Sequence, residues 1–162
     1  MFSKMLKQFA IALTALCLTV GAAYARCPEI GRPIGDRFTV REGFRIDPQV
    51  HRVTAGGSID LSRCPSVPGT SRVSKRPDFV VDYKTRNGGL SSFTLTFRVE
   101  SKADTVLLIN GPHGQWYYND DSGRRLNAKL SFPNAAPGRY DVWVGTYTQG
   151  LSNAKLLITE LE

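Results

Sequence analysis

The chain has 162 residues and a formal net charge of +7, with 41% hydrophobic and 22% charged residues, 15 Gly and 9 Pro. That is enough apolar material for one core of ordinary domain size, and too much for a wholly disordered or collagen-like chain. No apolar stretch reaches the roughly 20 residues that a spanning helix requires, so no transmembrane anchor is expected.

The N-terminus reads as an export signal. Lys4 and Lys7 form a positive segment, Phe9 to Val20 is apolar, and Ala23-Tyr24-Ala25 supplies the small residues a signal peptidase needs. Residues 1–25 are therefore expected to be removed after Ala25, leaving a periplasmic or secreted protein. Leu16 and Arg26, which precede Cys17 and Cys27, are not the small residues expected before a lipidated cysteine. Cleavage leaves Cys27 and Cys64, and an oxidising compartment favours one disulfide between them. It would tether residues 26–77, an N-terminal extension packed as one domain with the rest. Of the 19 remaining Lys and Arg, 12 lie in residues 26–86. Arg63, Arg72, Lys75 and Arg76 share an acid-free loop that is either a solvated surface or a contact for an acidic polysaccharide, lipid headgroups or a protein. No recognition-helix or RNP-like pattern is present, and nucleic acid is not an expected partner.

Further along the chain, short apolar alternation between turn residues replaces helical periodicity. Phe38-Thr39-Val40 and Ile59-Asp60-Leu61 are candidate strands, and Pro65 to Pro77 reads as a long loop. Phe79, Val81 and Tyr83 alternate with Val80 and Asp82, and Asn87-Gly88-Gly89 makes a turn. Phe93, Leu95, Phe97 and Val99 then point one way and Thr94, Thr96 and Arg98 the other. The unbroken apolar run from Thr105 to Ile109 suits a strand covered on both faces. After the Gly111–Gly114 turn, Gln115 to Tyr118 forms a strand, then a polar loop from Asn119 to Asn127 leads to Leu130 and Phe132. Tyr140, Val142 and Val144 alternate with Asp141, Trp143 and Gly145, and a last strand covers Ala154 to Ile158. About seven to nine strands with regular turn signals predict an all-β, antiparallel β-sandwich.

Ala103 to Gly123 (ADTVLLINGPHGQWYYNDDSG) and Pro137 to Tyr147 (PGRYDVWVGTY) resemble the bacterial pre-peptidase C-terminal domain, with its Asp-Thr-x-Leu strand, Asn-Asp-Asp-Ser loop and Gly-x-Tyr-x-Val-x-Val strand in order. The resemblance covers residues 78–162. It implies a jelly-roll-like sandwich, usually an accessory to a secreted hydrolase, with some relatives binding Ca²⁺ or polymers such as collagen or polysaccharide. The roughly 50 residues before Asp78 are too few for a peptidase, so a role in maturing an attached protease does not carry over.

Two sites follow. Asn119, Asp120 and Asp121, with Asp104 at the start of its strand, are candidate oxygen ligands for Ca²⁺, which wants six to eight such atoms. The alternative is an Asx turn in which these side chains accept backbone N–H bonds. Trp143, with Tyr117 or Tyr147 nearby, is a candidate platform for sugar rings or a partner's aromatics, unless the N-terminal segment covers it. No catalytic set is expected: His51 and His113 are the only histidines, and no nucleophile elbow or H-E-x-x-H is present. The expected function is non-catalytic binding of an envelope or extracellular polymer or an exported protein. The alternative is an accessory or inhibitory subunit of a separately encoded secreted peptidase or other hydrolase.

Overall fold

The computed structural model describes residues 27–161. The export signal and its cleavage site lie outside them. No helix among the described residues is long and apolar enough to cross a membrane. Eleven strands form two packed sheets: β1 Arg37–Arg41, β2 Gln49–Ala55, β3 Ile59–Asp60, β4 Arg72–Val73, β5 Phe79–Lys84, β6 Leu95–Ser101, β7 Thr105–Asn110, β8 Trp116–Asn119, β9 Lys129–Phe132, β10 Gly138–Thr146 and β11 Ser152–Thr159. A 3-10 turn, Leu61–Arg63, follows β3. The architecture is the expected all-β sandwich. One parallel pair, β1 with β5, departs from an antiparallel pattern among the described residues.

The four-stranded sheet runs β2-β11-β6-β9. The larger sheet is built on β10, which pairs with β7 along one edge and with β5 and then β4 along the other. β1 flanks β5, β8 flanks β7, and β3 pairs with β4. The N-terminal extension thus supplies strands to both sheets, including β2, which the sequence pattern did not reveal. In β2 the inward positions are Gln49, His51, Val53 and Ala55, too polar a set to register as apolar alternation.

Between the sheets lies a core that includes Val81, Phe97, Ile109, Tyr140, Val142, Leu156 and Ile158. Every residue of β7 is buried, as its unbroken apolar run predicts. Leu107 and Ile109 face that core, while Val106 and Leu108 join a second cluster on the opposite face of the sheet. Ile59, Leu61, Val73 and Cys64 cover that second face together with Trp143. Cys27 and Cys64 form the expected disulfide, with Cα atoms 5.6 Å apart. At the crossover, a side chain on Gly145 would strike the Arg72 carbonyl oxygen, so glycine here lets β4 approach β10 backbone to backbone.

β5 and β4 leave a gap along the edge of β10 between Val142 and Thr146. Val144 sits in that gap. Its N–H donates to Asp78 Oδ2 at 2.7 Å, and its carbonyl accepts from the Gly56 N–H at 2.9 Å. A buried carboxylate thereby replaces a missing strand, because an unpaired backbone group inside the molecule would cost about a hydrogen bond.

Candidate functional site on the outer face of the four-stranded sheet

The aromatic platform expected from the sequence does not form. Trp143 is 0% exposed, sealed by the disulfide-tethered segment. The parity was right, since Trp143 does point away from the main core, but that side of the sheet is covered. Trp116, not Tyr117, is its aromatic neighbour, with ring centroids 5.2 Å apart. Tyr117 lies on the other face of the sheet, packed edge-on against Phe132 at 4.9 Å. Tyr147, half exposed, stands at the end of β10, where its N–H donates to the Asp104 carbonyl. These three rings share no surface.

In the acidic loop, Asn119 Oδ1 accepts from the N–H of Ser122 at 3.1 Å and of Lys129 at 2.9 Å, while its Nδ2 donates to Ser122 Oγ at 2.7 Å. These bonds fix the loop as an Asx turn would, reaching three and ten residues on rather than two, and they occupy the Asn119 oxygen. Burial holds the Asp104 carboxyl above its ordinary pKa, and the charges of Asp121 and Asp120 add to the rise. Asp104 Oδ1 is buried without a hydrogen-bond partner. Among the described residues no three His, Cys, Asp or Glu are grouped closely enough to hold a metal ion.

The basic loop is also largely internalised electrostatically. Arg63 and Arg72 approach Asp60 at 3.8 and 3.6 Å, and Lys75 pairs with Glu29 at 3.0 Å. The histidines are structural in position: His51 stacks on Phe38 at 4.0 Å, and burial lowers its pKa, while His113 lies in the turn between β7 and β8.

The concentrated charge lies elsewhere. Strand parity directs Arg52, Arg98, Glu100, Lys129 and Lys155 outward from the four-stranded sheet. Register then sets Arg52 directly opposite Lys155, and Arg98 directly opposite Lys129. Like charges in that arrangement cost stability where no acid offsets them, as Glu100 does for Arg98. The 119–127 loop adds Arg124 and Arg125 at the margin, beside Glu100 and Ser101, and Lys102 borders the same surface. Buried Asn127 fixes that loop: its Nδ2 donates to the carbonyls of Arg124 and Ser101, and its Oδ1 accepts from the Thr105 hydroxyl. The loop divides its charge. Asp120 and Asp121 act on Asp104, whereas Arg124 lies in a shallow concavity with Arg98 and Lys129.

Among the described residues, Arg32, Arg41, Arg45, Arg76, Lys84 and Arg86 have no ion pair, and neither do the five cations gathered here, Arg52, Lys102, Arg124, Arg125 and Lys155. All five are exposed. Only Glu100, held by Arg98 Nη1 at 2.8 Å, brings negative charge into the strand rows. Residue-by-residue reading had no means of gathering these cations, because Arg52 and Lys155 are 103 positions apart and meet only through register.

No protein-family model matches the sequence, and no curated protein matches it. Two solved structures are similar to this chain. One is the pre-peptidase C-terminal domain of a collagenase from Bacillus anthracis, at 13% identity and a TM-score of 0.42, covering 80% of this chain and 99% of that one. The other is PliG from Aeromonas hydrophila, a periplasmic lysozyme inhibitor of g-type lysozyme, at 12% identity and a TM-score of 0.37, covering 77% of this chain and 98% of that one.

Proposed function

We infer that this protein is an exported, non-catalytic binding module whose outer face on the four-stranded sheet holds an anionic polymer of the cell envelope. One observation carries the reading: Arg52 and Lys155, exposed and without ion pairs, are set directly opposite each other on this face, and Lys102, Arg124 and Arg125, likewise unpaired, stand at its margin. Such a surface attracts polyanions and raises their local concentration. A disulfide between Cys27 and Cys64 suits an oxidising compartment.

Co-sedimentation with insoluble envelope polysaccharide tests the reading. The wild-type protein should pellet with the polymer at low salt, and the triple variant Arg52→Gln, Lys155→Gln, Arg124→Gln should stay in the supernatant with a melting temperature no lower than that of the wild type. Recovery instead of one stoichiometric exported protein would favour the accessory or inhibitory subunit.

A Ca²⁺ ion at Asp104, Asp120 and Asp121 is a separable part of the proposal, supported by the unpartnered Asp104 oxygen, and it requires the loop to draw carboxylates together that the structure does not group. Asn119, already engaged, would not take part, so backbone and water oxygens would complete the shell. Calorimetric titration should give heat and a rise in melting temperature; no heat and no rise remove the ion.

A further inference from the structure

A second site, independent of the polyanion surface, lies on the opposite side of the sandwich. β1, β5 and β10 run side by side there, and register sets Arg37, Val80 and Asp141 in one row and Thr39, Asp82 and Arg139 in the next. Their neighbours Val81, Tyr140 and Val142 face the core, so these charges face outward. Arg37 donates to Asp82 from Nε at 2.7 Å and Nη2 at 3.1 Å, and Arg139 to Asp141 from Nε at 2.8 Å and Nη2 at 2.7 Å. Arg139 Nη2 donates to the Gly31 carbonyl as well. Each guanidinium thus turns one edge to a carboxylate, and Nη1 of each has no partner among the described residues. Exposed pairs of this kind add little stability, but they fix the planes of two otherwise flexible side chains.

The segment before β1 completes a cavity around these arginines. The N–H groups of Ile34 and Gly35 donate to the carbonyls of Pro77 and Asp78 at 2.8 and 3.0 Å. A side chain on Gly35 would strike the Asp78 carbonyl oxygen, so glycine lets the segment lie flat against the residues that lead into β5. The Gly31 N–H approaches Asp141 Oδ1 at 3.4 Å. The open cavity so formed, about 520 Å³, is lined by Gly31, Arg32, Pro33, Gly35, Arg37 and Arg139. Neither Asp82 nor Asp141 borders it. Arg32 is exposed and, among the described residues, has no ion pair.

Charge then limits the ligand. Asp141 and Asp82 compensate Arg139 and Arg37, which leaves Arg32. The exposed charges nearest to this group, Asp36 beside Arg37 and Lys84 acting on Asp82, are opposite in sign. One positive charge remains, which a singly charged carboxylate neutralises. A doubly charged phosphate would add a surplus negative charge close to Asp82 and Asp141, and like charges brought together are unfavourable. The rest of the lining is backbone and the Pro33 ring, a wall suited to a small organic group more than to a bare ion. We propose that this cavity binds the carboxylate of a small organic monoanion. Arg32 and the Nη1 groups of Arg37 and Arg139 donate to its oxygens, the planar geometry for which guanidinium groups are suited.

NMR titration of the disulfide-bonded protein at constant ionic strength tests the assignment. The probes are N-acetylalanine, its uncharged amide and inorganic phosphate. N-acetylalanine should shift the backbone amide signals of Gly31 and Gly35 to saturation, and the amide should leave them in place. Phosphate should bind on the order of tenfold more weakly. Arg32→Gln removes no bond of the fold and should weaken N-acetylalanine binding on the order of tenfold, the scale of one charge-assisted hydrogen bond. Arg37→Lys keeps the charge beside Asp82 but loses the planar fork, and should weaken binding by a similar factor. The double variant Arg52→Gln, Lys155→Gln, altered on the other face, should titrate as the wild type does. Phosphate binding as tightly as N-acetylalanine would overturn the carboxylate assignment. Saturation by the amide, no saturation by N-acetylalanine, or titration unchanged in Arg32→Gln or Arg37→Lys would overturn the site. The polyanion surface stands or falls separately, by co-sedimentation.

Discussion

Asp78 illustrates how one side chain can hold a structural position at an electrostatic cost. Its carboxylate fills the gap on β10, but burial pushes its pKa up to about 7 against the bonds from the Val144 N–H and the Ser74 hydroxyl. The folded protein therefore keeps a proton on Asp78 over a range in which the unfolded chain has released it. The resulting contribution to stability is complete below the ordinary carboxylate pKa and is lost as pH rises through about 7. Asp78→Asn retains an acceptor for Val144 and removes the charge. Its melting temperature, relative to that of the wild type, should rise steadily from acid to mildly alkaline pH; a constant difference would show that Asp78 is ionised throughout. The comparison is made between the two proteins because His51, buried and lowered in pKa, gives the wild type a slope of opposite sign at lower pH.

At the scale of elements, a short disulfide-tethered segment decides what the larger sheet exposes. β3, the 3-10 turn and β4 lie over Val106, Leu108 and Trp143, converting an apolar sheet face into a second core layer. The disulfide closes this arrangement across a separation of 37 residues, which in the chain-entropy model stabilises by about 3–4 kcal/mol. Cys27→Ser with Cys64→Ser should lower the urea-unfolding free energy by that order, and the fluorescence of Trp143 and Trp116 should shift toward the solvent-exposed range. A loss below about 1 kcal/mol, the scale of a single ordinary hydrogen bond, would mean that packing alone holds the cover in place. The parallel pairing of β1 with β5 extends the same principle, since an N-terminal strand joins the sheet edge that the C-terminal half leaves open.

Among the described residues, much of the basic loop is paired with acids, whereas the cations of the outer sheet face other than Arg98 and Lys129 are not. Asp60 and Glu29 offset much of the loop that carries Arg63, Arg72 and Lys75, and surface pairs of this kind add little stability. The outer face of the four-stranded sheet keeps its excess, and binding there should weaken with salt as exposed charges are screened. β2 is essential to this face, because it brings Arg52 beside Lys155.

The chain's local chemistry determined a good deal by itself. Alternation identified β5, β6 and β10, because a strand with one buried face must repeat every second residue. The apolar run of β7 announced burial on both sides, and two remaining cysteines named their own bond. Asn119 carried the turn signal that its hydrogen bonds fulfil. Tertiary structure alone decided what lies over each outward face. Trp143 and Lys155 both point away from the main core, yet the first is sealed under β3 and β4 while the second is open. Parity gives a side chain's direction, but its neighbours come from pairing and register between segments distant in the chain. Long-range contacts of that kind leave no local mark in the order of residues.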